Sequence, residues 1–114
     1  MIALLSLLLI LSPGPDPFTT EDFLEEIGSR DISVVNQSDA EKRHGANTCT
    51  AIVTARSARL VTCEYATVAD ARRVAYNRSD YARTVFQRGT VVIYLRKGAS
   101  SRLREAVVDV TGIS

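Results

Sequence analysis

Two cysteines, one histidine, a pair of adjacent glutamates and a run of arginines carry the chemistry this chain could perform. Cys49 and Cys63 are the only cysteines. Both lie in a segment that reads TCTAIVT, then ARSA, then RLVTCEY. The two arms are rich in β-branched residues and the break between them is short, which predicts a β-hairpin. Side chains alternate along a strand, and residues directly opposed share a face. With a two-residue Ser57-Ala58 loop, Cys49 would oppose Ala66 and the sulfurs would lie on opposite faces. With a three-residue loop at Ala55, Arg56 and Ser57, Cys49 sits directly across from Cys63, at a separation a disulfide tolerates. The expected bridge therefore carries its own register. In the chain-entropy model a loop this short gives about 3 kcal/mol. The chain has no C-x-x-C, so a redox pair is not expected. Two thiols and a distant His44 lack the ligand spacing of a metal site, so neither metal nor cofactor is expected.

His44 lies in the charged run Lys42-Arg43-His44-Gly45, where it reads as a surface-loop residue. No G-x-S-x-G elbow announces a serine nucleophile. Neighbours in a helix diverge by about 100°, so Glu25 and Glu26 cannot converge on one point and read as a solvated face. The glycines are scattered and form no phosphate-cradling loop. The expectation is a domain that binds rather than catalyses.

The bases are distributed unevenly. Residues 16–50 hold eight acids against three bases, a balance of −5, whereas residues 51–105 hold eleven bases against four acids, a balance of +7. Either the two halves face and neutralise each other, or the second presents a basic face to an anionic partner. For the latter the expected residues are Arg72, Arg73, Arg88, Arg96 and Lys97. Net charge is only +1, and no aromatic pair has the spacing of an RNA-reading strand, which argues against nucleic acid. Anionic lipid headgroups or cell-wall polymers fit better. Asn36-Gln37-Ser38 and Asn77-Arg78-Ser79 match the glycosylation acceptor. The Ala, Arg and Val richness hints at a bacterial source, and both matches read as chance.

These residues need elements to position them. Ile2–Leu11 (IALLSLLLIL) is ten residues with one polar side chain, about 15 Å as a helix. That is half of a ~30 Å hydrocarbon core but the right length for the apolar part of a secretory signal. Residues 1–14 are accordingly read as a signal peptide or short membrane anchor, 15–19 as a linker, and 20–114 as one globular domain. The composition, 46% hydrophobic and 24% charged, is that of an ordinary globular chain. Thr19 and Asp22 predict a capped helix with Phe23, Leu24 and Ile27 as its stripe and Gly28 as its left-handed end. Ile32–Val35 reads as a short strand and Gln37–Asn47 as a loop. After the hairpin, Thr67 caps a second helix that ends near Asn77. Ala82–Phe86 and Thr90–Leu95 read as strands turned by Gln87, Arg88 and Gly89. The unalternated TVVIYL suggests a central strand covered on both faces. A last helix starts at Ser100 or Ser101, carries Leu103, Ala106, Val107 and Val110, and stops at Gly112. The fold class expected is α+β, a mostly antiparallel sheet of hairpins with helices packed on one face.

The stretches TTEDFLEEI, LVTCEYATVADARRVA and TVFQRGTVVIYLRKGASSRLREAVVDV together resemble small bacterial exported or lipoprotein domains of no settled function. The similarity is architectural and spans residues 19–110. Glu64-Tyr65, Ala69-Asp70-Ala71 and Arg88-Gly89 occupy the positions of the strand-to-helix joint and the basic turn. This chain lacks a lipid-acceptor cysteine and has its own Cys49/Cys63 pair. The expectation is a non-enzymatic secreted or envelope domain that meets another protein or an envelope component, with peripheral membrane contact through its N-terminal segment. The alternative is an anion-binding module using the basic region 51–105.

Overall fold

The computed structural model describes residues 18–56, 58–77, 84–96 and 99–112. The expected leader, most of the linker, and Lys97 lie outside them. Among the described residues the order is α1 (Thr20–Gly28), β1 (Val34–Asp39), β2 (Thr48–Thr54), β3 (Arg59–Glu64), α2 (Val68–Asn77), β4 (Val85–Arg88), β5 (Val91–Leu95) and α3 (Ser101–Thr111). The strands form one antiparallel sheet in the order β1-β2-β3-β5-β4. The α+β class is as the sequence implies.

Local chemistry sets the helix boundaries. Asp22 N–H donates to the Thr19 hydroxyl and Thr19 N–H to the Asp22 carboxylate, so both halves of the capping box form at α1. Gly28 is still helical, and the left-handed residue after the helix is Asp31, with φ 66°. A short polar side chain tolerates that conformation better than most, so the expected glycine cap is displaced by three residues. The Thr67 hydroxyl accepts from Asp70 N–H at the start of α2. Ser100 caps α3 in the same way, and Gly112 ends it with φ 75°.

The strand register decides which side chains share a face. Thr54 N–H donates to Ala58 C=O across the three-residue loop 55–57. Cys49 is then directly opposite Cys63, and the two are bonded, with Cα atoms 4.1 Å apart. Hydrogen-bonded and non-hydrogen-bonded pairs alternate. Counting down from Thr54 and Ala58 places the cysteines in a non-hydrogen-bonded pair, where the strands run closest.

One face of the sheet carries the larger core. Ile52, Leu60, Phe86, Ile93 and Leu95 pack against Phe23 and Ile27 of α1 and Leu103, Val107 and Val110 of α3. Each buried aliphatic or aromatic side chain there stabilises by roughly 1.5–3 kcal/mol relative to exposure. Two polar links tie α1 to β3: Thr20 and Thr62 share a buried hydroxyl–hydroxyl bond of 2.8 Å, and Thr20 N–H donates to Glu64 Oε2. The other face holds a smaller cluster of Cys49, Cys63, Tyr65, Val92, Ala71 and Val74 under α2. Thus α1 and α3 lie on one face and α2 on the other. The helices share a face only in that pair. The fully buried Val91, Val92 and Ile93 of β5 show why: consecutive apolar residues need cover above and below.

Two strands differ from their expected limits. β1 runs through Asn36, Gln37, Ser38 and Asp39, a stretch whose polarity had suggested a loop. It is an edge strand, exposed along most of its length, so neither face demands apolar residues. A bulge at Val35 interrupts its pairing, a common device at exposed edges. β4 continues to Arg88, and the turn to β5 is only Gly89 and Thr90. Gly89 has φ 59°, the left-handed conformation that such a tight turn requires.

Candidate functional site

The register lays the α2 face out as three cross-strand rows. The first is Cys49, Cys63, Val92 and Gln87, and α2 covers much of it. The second is Ser38, Ala51, Val61, Tyr94 and Val85. The third is Asn36, Val53, Arg59 and Arg96. Arg96 joins that row because its N–H donates to Arg59 C=O, continuing the Leu60–Leu95 pairing by one residue. The second row from Ser38 to Tyr94, together with the third, floors an open cleft of about 570 Å³, within the usual range for a small-molecule site.

The cleft is basic. Arg59 and Arg96 stand directly opposite each other on neighbouring strands, and both line it. Arg43 enters from the loop between β1 and β2. Its guanidinium carbon lies 4.9 Å from the Tyr94 ring centroid, a cation–π contact. The backbone pins that placement. The Tyr65 hydroxyl donates to Arg43 C=O at 2.9 Å, and Ala46 N–H donates to the same carbonyl oxygen. The loop turns through His44 at φ 51° and Gly45 at φ 85°. Tyr65 and Tyr94 hydroxyls lie 3.2 Å apart, so a buried tyrosine fixes the tip of the tyrosine in the cleft. His44 comes within 6.4 Å of the Tyr94 ring, centroid to centroid.

No described carboxylate forms an ion pair with Arg43, Arg59 or Arg96. Among the described residues, the ion pairs Arg30–Asp109, Arg73–Asp70 and Arg88–Glu26 lie away from the cleft. Like charges directly opposed across a ladder are destabilising. The Arg59/Arg96 pair is therefore a local cost that an anion in the cleft would relieve.

Of the five bases expected from sequence to bind anions, Lys97 lies outside the described residues and the other four do not come together. Arg72 and Arg73 are exposed on α2, and Arg73 pairs with Asp70 at 3.0 Å. Arg88 is engaged structurally: it donates to Val110 C=O at 2.8 Å, reaches Glu26 at 3.3 Å and stacks 4.2 Å from the Phe18 ring centroid. Glu26–Arg88 links the acidic and basic parts of the chain. Of the four that are described, only Arg96 lines the cleft. Arg43, Arg59 and Tyr94 join it from segments far apart in sequence. Parity signals Arg59, since it lies four residues before Cys63 on one strand and must share its face.

Among the described residues no group of three His, Cys, Asp or Glu side chains could hold a metal ion, and no helix is long and apolar enough to cross a membrane. A smaller pocket between the β2–β3 loop and the start of α3 is lined by Asp31, Arg56 and Arg102, but Arg102 already donates to Asp31 C=O. Comparison with known protein families, curated proteins and solved structures finds no match for this chain.

Proposed function

We propose that this is an exported, non-enzymatic binding domain that takes an anionic ligand on the open part of its α2 face. The observation that carries the reading is the convergence of Arg43, Arg59 and Arg96 on one cleft with no described carboxylate paired to them. Guanidinium groups grip oxyanions through fixed forks of N–H donors. Among its described lining residues the cleft has neither a histidine nor a carboxylate, so the set grips charge and offers no general base. Export is supported by the apolar run Ile2–Leu11 together with the Cys49–Cys63 bridge, since disulfides persist in oxidising compartments.

Amide NMR of the folded domain, titrated with inorganic phosphate at low salt, tests the binding reading. Shifts should cluster at Arg59, Val61, Tyr94 and Arg96 and shrink as salt is added. Shifts spread evenly over the surface, or centred on Arg72 and Arg73, would overturn it. For export, mass spectrometry of the non-reduced protein from its native source reads the N-terminus and thiol state together. Recovery from the cytosol with residues 1–14 retained and both thiols free would contradict that part.

A further inference from the structure

Resting on the anion-binding reading, we infer that the cleft is built for a phosphate monoester carrying a flat ring, with the phosphoryl group held between Arg59 and Arg96 and the ring on Tyr94. Opposed residues on neighbouring antiparallel strands have Cβ atoms about 5 Å apart, so the two guanidiniums are within reach of one ligand group. Two positive charges with no described carboxylate partner, gripping one group, match a dianion best. A phosphate monoester carries about −1.5 to −2 at neutral pH and presents three acceptor oxygens, whereas a carboxylate or sulfate ester carries one charge. Each arginine can offer two parallel N–H donors to such a group.

The floor beside the arginine pair is of another kind. Tyr94 lies two residues from Arg96 on the same face, about 7 Å along the strand, with Ala51 and Val61 continuing its row. Ala51 is small and leaves depth in that row beyond Val61. Tyr94 is half-buried, its hydroxyl tied to Tyr65 and one side of its ring met by Arg43. A ligand ring laid beside it meets an aromatic held in place and a third guanidinium able to stack. The volume, about 570 Å³, suits one small molecule.

Calorimetry on the folded, disulfide-bonded domain at low salt separates the terms with four probes: phenyl phosphate, phenyl sulfate, inorganic phosphate, and vesicles containing phosphatidic acid. Phenyl phosphate should bind more tightly than phenyl sulfate by roughly fivefold or more, since one extra charge about 4 Å from a single guanidinium already gives that factor. It should also exceed inorganic phosphate, and its affinity should rise as pH passes the ester's second pKa near 6. Arg59→Gln and Arg96→Gln should each weaken it roughly tenfold or more, and Tyr94→Leu should erase the advantage over inorganic phosphate. Circular dichroism and thermal melts confirm that each variant is folded. Equal affinity for phosphate and sulfate esters, still lost in the arginine variants, would overturn the dianion inference and leave anion binding standing. Vesicle binding without phenyl phosphate binding would overturn it in favour of a membrane surface. Indifference of every probe to Arg59→Gln and Arg96→Gln would remove both readings.

Discussion

Opening the Cys49–Cys63 bridge should destabilise the domain by about 3 kcal/mol, and one alanine should do nearly as much as two. The loop closed is short, with a sequence separation of 14, and the chain-entropy model gives about 3 kcal/mol for a loop of that size. Cys63 is fully buried and Cys49 nearly so, so alanine at either position leaves no unpaired hydroxyl. Both single variants open the same cross-link. Cys49→Ala and Cys63→Ala should therefore lose similar amounts, and the double variant only a little more. Residues that act as one unit are not additive. For a domain of roughly 95 residues, 1 kcal/mol moves Tm by about 4–8 °C, so the midpoint should fall by at least about 10 °C. Urea titration of the four proteins under non-reducing conditions gives the free energies. A double variant that loses the sum of the two singles would refute the reasoning, because it would mean that each cysteine contributes by packing alone. So would singles that differ by more than about 1 kcal/mol.

Arg88→Ala should lower stability by about 1–2 kcal/mol, since it removes a hydrogen bond to Val110 C=O, the Glu26 ion pair and the Phe18 stack; phenyl phosphate affinity, measured by calorimetry, should not change. Ile93→Ala, at a fully buried position of β5, should cost about 2–5 kcal/mol in denaturant titration. A loss below about 1 kcal/mol would mean that the sheet repacks at that position.

How far the amino-acid pattern reaches depends on how local the physics is. The three-residue hairpin loop followed from the requirement that two cysteines share a face, a matter of counting within 15 residues. The capping box at Thr19 and Asp22 and the glycine end at Gly112 involve groups within a few residues of each other. β1 escaped because its pattern comes from its position: with solvent on most sides, Asn36 to Asp39 have no apolar period to show. TVVIYL signals cover on both faces, yet the pattern suggests helices on one face only, because nothing in α2 itself chooses a face. The cleft escaped for a further reason. Arg43, Arg59, Tyr94 and Arg96 meet only after β3 pairs with β5, and counting bases along the chain gave equal weight to Arg88, whose charge is already used.

The bridge and the cleft are consequences of one register. Cys63, Val61 and Arg59 alternate along β3 on one face, with Thr62 and Leu60 on the other. A slip of one residue would turn Leu60 towards solvent and bury Arg59 beneath α1 and α3, because side-chain period in a strand is two. Burying an unpaired guanidinium costs several kcal/mol, and exposing Leu60 loses a further 1.5–3 kcal/mol or so. Core packing therefore already rejects the slipped pairing in the folded state. The covalent link excludes the same slip by another route: Cys49 and Cys63 are bonded only when they stand directly opposite each other on one face. In a chain this small, whose sheet has a polar edge at β1, that restraint sets the face on which Arg59 will meet Arg96.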